Sequence, residues 1–119
     1  MNYESRAAWA RAARKSRCVM CGARSPRGHH IITQQQLRRL PEMDDPVHAA
    51  VVLWDRRNCL PLCDRCHARH HSKFRQVPLG VVLTKAPEVV RFAAEHGLTW
   101  YLSREYGSTR PRSASGAIR

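Results

Sequence analysis

The sequence lacks any apolar run approaching the ~20 residues that a membrane-spanning helix needs, which excludes a helical membrane protein across its 119 residues. A secretory signal is missing too. The opening stretch MNYESRAAWARAARKSR is basic and alanine-rich, but it has neither the apolar segment nor the cleavage site of a leader. Glu4 and the cysteine motif directly behind that stretch speak against a removed transit peptide. The expected setting is therefore the cytoplasm, where the five cysteines stay reduced and paired Cys-x-x-Cys spacing favours metal over disulfide. Acidic residues are scarce, nine against 21 Lys and Arg, for a formal charge of +12. In so small a chain this excess points to a polyanionic partner, above all nucleic acid, against the plainer reading of a merely solvated basic surface. Internal repeats are absent as well. The length suits one domain, and 43% apolar residues permit a core thin enough for a metal staple to matter.

Periodicity and punctuation suggest a small α+β chain. Residues 4–16 read as a helix with Ser5 as a cap, Trp9 as an anchor, and Arg6, Arg11, Arg14 and Lys15 as a cationic face. Residues 29–32 and 58–62 read as short strands, and 34–40 as a helix stopped by Pro41. An acidic loop follows over 41–46, carrying Glu42, Asp44 and Asp45, and then a short apolar segment over 47–54. Helices are expected over 64–75 and 87–95, the latter capped by Gly97, with a further short helix or docking segment over 98–106. Beyond it, residues 107–119 are Ser-, Gly- and Arg-rich and are expected to form a disordered basic tail.

Cys18 and Cys21 form one Cys-x-x-Cys pair, and Cys63 and Cys66 form another. Two such knuckles can surround one ion with four thiolates, a donor set that selects zinc and closes the site. The alternative is four unrelated core thiols. Cys59, left over in an apolar strand, reads as a small buried hydrophobe. Five of the seven histidines fall into two clusters, His29-His30 and His67 with His70-His71. On a helix, His67 and His71 share a face and can both reach one ion, with His70 as the rival. His48 and His96 stand alone and read as ordinary polar residues.

The run Cys18-x-x-Cys21, Gly28-His29-His30-Ile31-Ile32, Asn58-Cys59-Leu60-Pro61-Leu62-Cys63-Asp64-Arg65-Cys66-His67, then His70-His71, resembles the HNH endonucleases of the ββα-metal (His-Me finger) superfamily. The resemblance covers residues 18 to about 75, with a looser likeness to small bacteriophage HNH proteins over a C-terminal helical segment 87–106. It implies a single nuclease domain over 1–106: a ββα-metal finger with a four-cysteine structural zinc and flanking helices. It implies His30 as general base, His29, His67 and His71 as ligands of one catalytic divalent ion (Mg, Mn, Ni or Zn), and Asn58 as the residue ordering the loop and the base. Cys59 stands where the family has leucine, and residues 31–57 are longer than a minimal finger needs.

The activity implied is metal-dependent hydrolysis of DNA phosphodiesters, by nicking or double-strand cleavage, in a bacterial host cell. The chain would act as a monomer or weak dimer, with a phage packaging terminase as a conceivable partner. Arg11, Arg14, Lys15, Arg110 and Arg112 would grip the phosphate backbone without reading sequence. A non-catalytic zinc module that only binds nucleic acid or protein is the rival reading. A thiol redox protein is a third, which leaves the histidines unexplained.

Overall fold

The computed structural model describes residues 2–106, so the expected tail, with Arg110 and Arg112, lies outside the described residues. No described helix is long and apolar enough to cross a membrane. The elements run α1 (Asn2–Arg14), β1 (Arg27–His30), α2 (Gln34–Leu37), α3 (Pro46–Leu53), β2 (Cys59–Leu62), α4 (Asp64–His71), α5 (Leu79–Lys85), α6 (Val89–Glu95) and α7 (Thr99–Glu105). The architecture is small and α+β: one two-stranded antiparallel hairpin surrounded by helices.

The hairpin register pairs Arg27 with Leu62, Gly28 with Pro61, His29 with Leu60, and His30 with Cys59. Side chains alternate between the two faces of a strand. In β2 that alternation sends Leu60 and Leu62 into the core, both with no exposure, while Cys59 and Pro61 face outward and are only partly covered. In β1 it buries His29 and leaves the next residue, His30, half-buried. Helix α1 lies against the hairpin through Trp9, and the approach is close. A Cβ on Gly28 would sit 2.4 Å from the Trp9 ring, so glycine is required there.

The core gathers Ile31, Ile32, Leu37, Leu60, Leu62, Val77, Val82, Val89 and Phe92 into one cluster. Ile31 and Ile32 reach it from beyond the strand, because β1 ends at His30 and not at residue 32. Asn58 secures that departure: its Nδ2 donates to the Ile32 carbonyl (2.9 Å) and its Oδ1 accepts from the Ile32 amide (2.7 Å). A fully buried amide with both ends satisfied orders the loop it bridges.

Several boundaries differ from the sequence reading for local reasons. Helix α1 starts at Asn2, so Ser5 lies inside it and is no cap. Helix α2 is short, with Thr33 Oγ1 accepting from the Gln36 amide at its start. The acidic loop is a 3₁₀ turn, Pro41–Asp44, and the apolar segment after it is helix α3, opened by Pro46 with Asp45 capping the Val47 amide. Helix α4 stops at His71, where Lys73 takes a left-handed conformation (φ 66°). Helix α5 has no counterpart in the reading. Gly97 does end α6, at φ 69°, with the Leu98 amide returning to the Ala93 carbonyl at 2.7 Å.

Candidate metal centres

Two groups of ligand atoms converge. The Sγ atoms of Cys18, Cys21, Cys63 and Cys66 all lie within 4.8 Å of one another. The first knuckle is shaped by the backbone: the Gly22 amide donates to the Cys18 carbonyl (2.9 Å), and Gly22 holds φ 80°. The second sits at the start of α4, where Cys63 Sγ accepts from the Cys66 amide at 3.4 Å. All five cysteines are free thiols. Cys21 Sγ and Cys63 Sγ are 3.6 Å apart, close to the ~3.8 Å between two sulfurs on one tetrahedral zinc with bonds of about 2.3 Å. Burial pushes the Cys18 thiol up, but backbone N–H groups of Cys63, Cys21 and Met20 outweigh it and bring the pKa down to about 6. Burial and the neighbouring thiols push Cys66 up to about 12. The donor set fits zinc, which takes up the charge that four crowded thiolates cannot share alone. Cys59 lies apart, half-buried, its thiol raised to about 11 by burial.

The second group is His29, His67 and His71, again within 4.8 Å of one another. Helix α4 brings His67 and His71 to one face, with their Nε2 atoms 3.1 Å apart. Two nitrogens on one ion at ~2.0–2.1 Å stand about 3.3 Å apart. His29 completes the set from β1, its ring 5.1 Å from that of His67 and 5.5 Å from that of His71. Its pKa falls to about 2, first through burial and then through the surrounding imidazoles of His70, His67 and His71. A neutral imidazole is what a metal requires of it. Three imidazoles leave a fourth tetrahedral position open, unlike four thiolates.

His70 is not in this group. It is buried with 2% exposure, stacks on Tyr106 at an interplanar angle of 17°, and accepts at Nδ1 from the Val77 amide (3.0 Å). That bond engages His70 Nδ1 with the chain leaving α4, and the three nitrogens that converge within 4.8 Å belong to His29, His67 and His71.

His30 also stands outside the group, since β1 turns adjacent side chains to opposite faces. Its ring stacks on Trp9 (4.2 Å between centroids), meets Trp54 edge-on, and Nε2 lies 2.8 Å from the Leu53 carbonyl oxygen. A carbonyl only accepts, so Nε2 carries the proton and Nδ1 is left with its lone pair. Burial holds the His30 pKa below its ordinary value. The partner that orders His30 is thus Leu53, and not Asn58, whose side chain is spent on Ile32. The stretch 31–57 supplies this support, because α3 ends on the Leu53 carbonyl and Trp54 follows it.

Tyr106 is a further participant that the sequence did not disclose. Its hydroxyl donates to the Ile31 carbonyl and lies 3.0 Å from His29 Nε2. Burial raises the phenol's pKa, so it remains protonated. With its one hydrogen directed at Ile31, it accepts from His29 Nε2–H, which leaves His29 Nδ1 bare for an ion. Neither a lone tyrosine after an apolar segment nor a backbone carbonyl carries a readable signal. Tyr106→Phe removes this partner while keeping the ring that stacks on His70. The triad's affinity for Co²⁺ or Zn²⁺ is expected to fall about 10- to 100-fold, read by metal titration, with the four-thiolate zinc retained.

The cationic residues of α1 sit as expected for surface groups: Arg11, Arg14 and Lys15 are exposed at its last turn and just beyond. His48 is exposed, and His96 pairs with Glu42 at 3.0 Å. Compared with protein-family models, curated proteins and solved structures, the chain gives no match.

Proposed function

We propose that the chain is a metal-dependent endonuclease that hydrolyses DNA phosphodiesters, with β1, β2 and α4 acting as a ββα-metal finger. The observation that carries this reading is the division of labour at one dipeptide. His29 joins His67 and His71 around a shared point, while His30, next in the strand, donates its Nε2–H to the Leu53 carbonyl and keeps Nδ1 bare. A neutral imidazole with one free nitrogen can take a proton from water near neutral pH. His29, His67 and His71 would hold one divalent ion, which when bound neutralises charge on the phosphate and the leaving oxygen. Asn58 and Tyr106 act as positioning residues, the first on the loop behind the base and the second on the ring of His29. The four cysteines would keep a structural zinc that ties the first knuckle to the start of α4. DNA is the partner suited to a charge of +12, with Arg11, Arg14 and Lys15 available for phosphates.

The experiment is nicking of supercoiled plasmid by the intact chain. Chelation should abolish the activity and added Mg, Mn, Ni or Zn should restore it. Plasmid binding without cleavage under every ion would favour the non-catalytic module instead.

A further inference from the structure

We infer that the cleft between α2 and α7 is a subsite for an unpaired nucleotide, its base stacked on Trp100; this rests on DNA being the substrate. The cleft has a volume of about 330 Å³, at the small end of the ~300–1,000 Å³ typical of ligand sites. Trp100 is 48% exposed, so part of its indole is open to a ligand. The Arg104 guanidinium lies 5.8 Å from the centre of its ring, and Arg39, Gln35 and Gln36 face it from the α2 side.

The chemistry of this lining favours a nucleotide over an apolar side chain. An aromatic face accepts any base, and Trp with Arg beside it is the usual platform for single strands. Two arginines offer phosphate contacts, and glutamine amides offer both donors and acceptors to a base edge. Among the described residues, neither Arg39 nor Arg104 has a carboxylate partner, and the one acid in the cleft, Glu105, is already paired with Lys73 at 3.4 Å. The net charge left to the cleft is positive.

Its position ties it to the metal centre. Glu105 is followed by Tyr106, whose hydroxyl bonds His29, and Thr33 on the opposite wall is three residues beyond His30. Tyr101 bridges the walls, its hydroxyl donating to Thr33 Oγ1 at 3.4 Å. Both walls of the cleft thus belong to the segments that carry Tyr106 and His30. The substrate class implied is DNA that offers such a base cheaply: single strands, gaps, frayed ends or mismatches.

The test measures binding of a labelled 12-mer oligothymidylate and of a duplex of the same length, with oligonucleotide integrity checked on a gel after each titration. Trp100→Ala should weaken single-strand binding about 5- to 100-fold and change duplex binding by less than ~2-fold, while Trp100→Phe, which keeps an aromatic face, should restore most of the loss. Trp100→Ala that leaves both affinities unchanged, or lowers both equally, overturns the subsite. In that case plasmid cleavage by the unaltered chain would show that the nuclease reading survives it. A chain that binds neither oligonucleotide overturns the subsite and the DNA reading together.

Discussion

Cys18→Ser, Cys21→Ser, Cys63→Ser and Cys66→Ser are each expected to abolish the folded state. The four Sγ atoms come from two segments far apart in sequence and meet within 4.8 Å. Without an ion, the folded chain must crowd four thiols, and burial first, then the neighbouring thiols, hold Cys66 against ionising. A structural zinc can supply ~10 kcal/mol or more of apparent folding energy, comparable to the whole ~5–15 kcal/mol stability of an ordinary domain. Loss of one ligand should therefore give a broad, non-cooperative melt and zinc content near zero. Cys59→Ser is the internal control. Its thiol sits apart from the cluster, half-buried with Sγ 3.9 Å from the Trp9 carbonyl, so the change should cost only about 1–3 kcal/mol. Circular dichroism melts with zinc quantitation check both. Five variants that behave alike would contradict the division into four ligands and one bystander.

The second large effect is expected at the histidine triad. His67→Ala and His71→Ala should each fold, retain the four-thiolate zinc, lose the second ion and lose cleavage with it. Neither ring is deeply buried, so truncation leaves no large cavity. His70→Ala should behave in the opposite way. It removes a fully enclosed ring and leaves the buried Val77 amide unpartnered, a loss of about 2–5 kcal/mol, while the triad itself stays intact. Metal content per chain, set beside melting temperature, separates the two patterns. Loss of the ion in His70→Ala with normal stability would contradict the ligand assignment.

The two clusters of candidate ligands were legible because their chemistry is written in residue type and spacing. Two Cys-x-x-Cys pairs and a helical i, i+4 pair of histidines need no tertiary knowledge to be noticed. The order of strand, strand and helix around them was legible for the same reason, to within a few residues. What stayed hidden is carried by groups without a sequence signature. The Leu53 carbonyl that fixes His30 belongs to a leucine like any other, and α3, which presents it, looked only like an apolar stretch. Tyr106 reaches His29 across a separation of 77 residues, which no local pattern reports. Asn58 stood out in the sequence as ordering the loop and the base; its bonds go to Ile32 in the loop and not to the base. Helix α5 was missed because Leu79–Lys85 is short, follows Pro78 and has no side-chain cap.

The central claim is that His30, outside the metal triad but adjacent to it in β1, acts as the general base. The measurement is the single-turnover rate of plasmid nicking by the unaltered chain and by His30→Ala, at equal bound metal and saturating DNA. The account predicts that His30→Ala folds, keeps both metals and binds plasmid normally, yet nicks about 10²- to 10⁴-fold more slowly. A His30→Ala chain that carries both metals and nicks at the rate of the unaltered protein would contradict it.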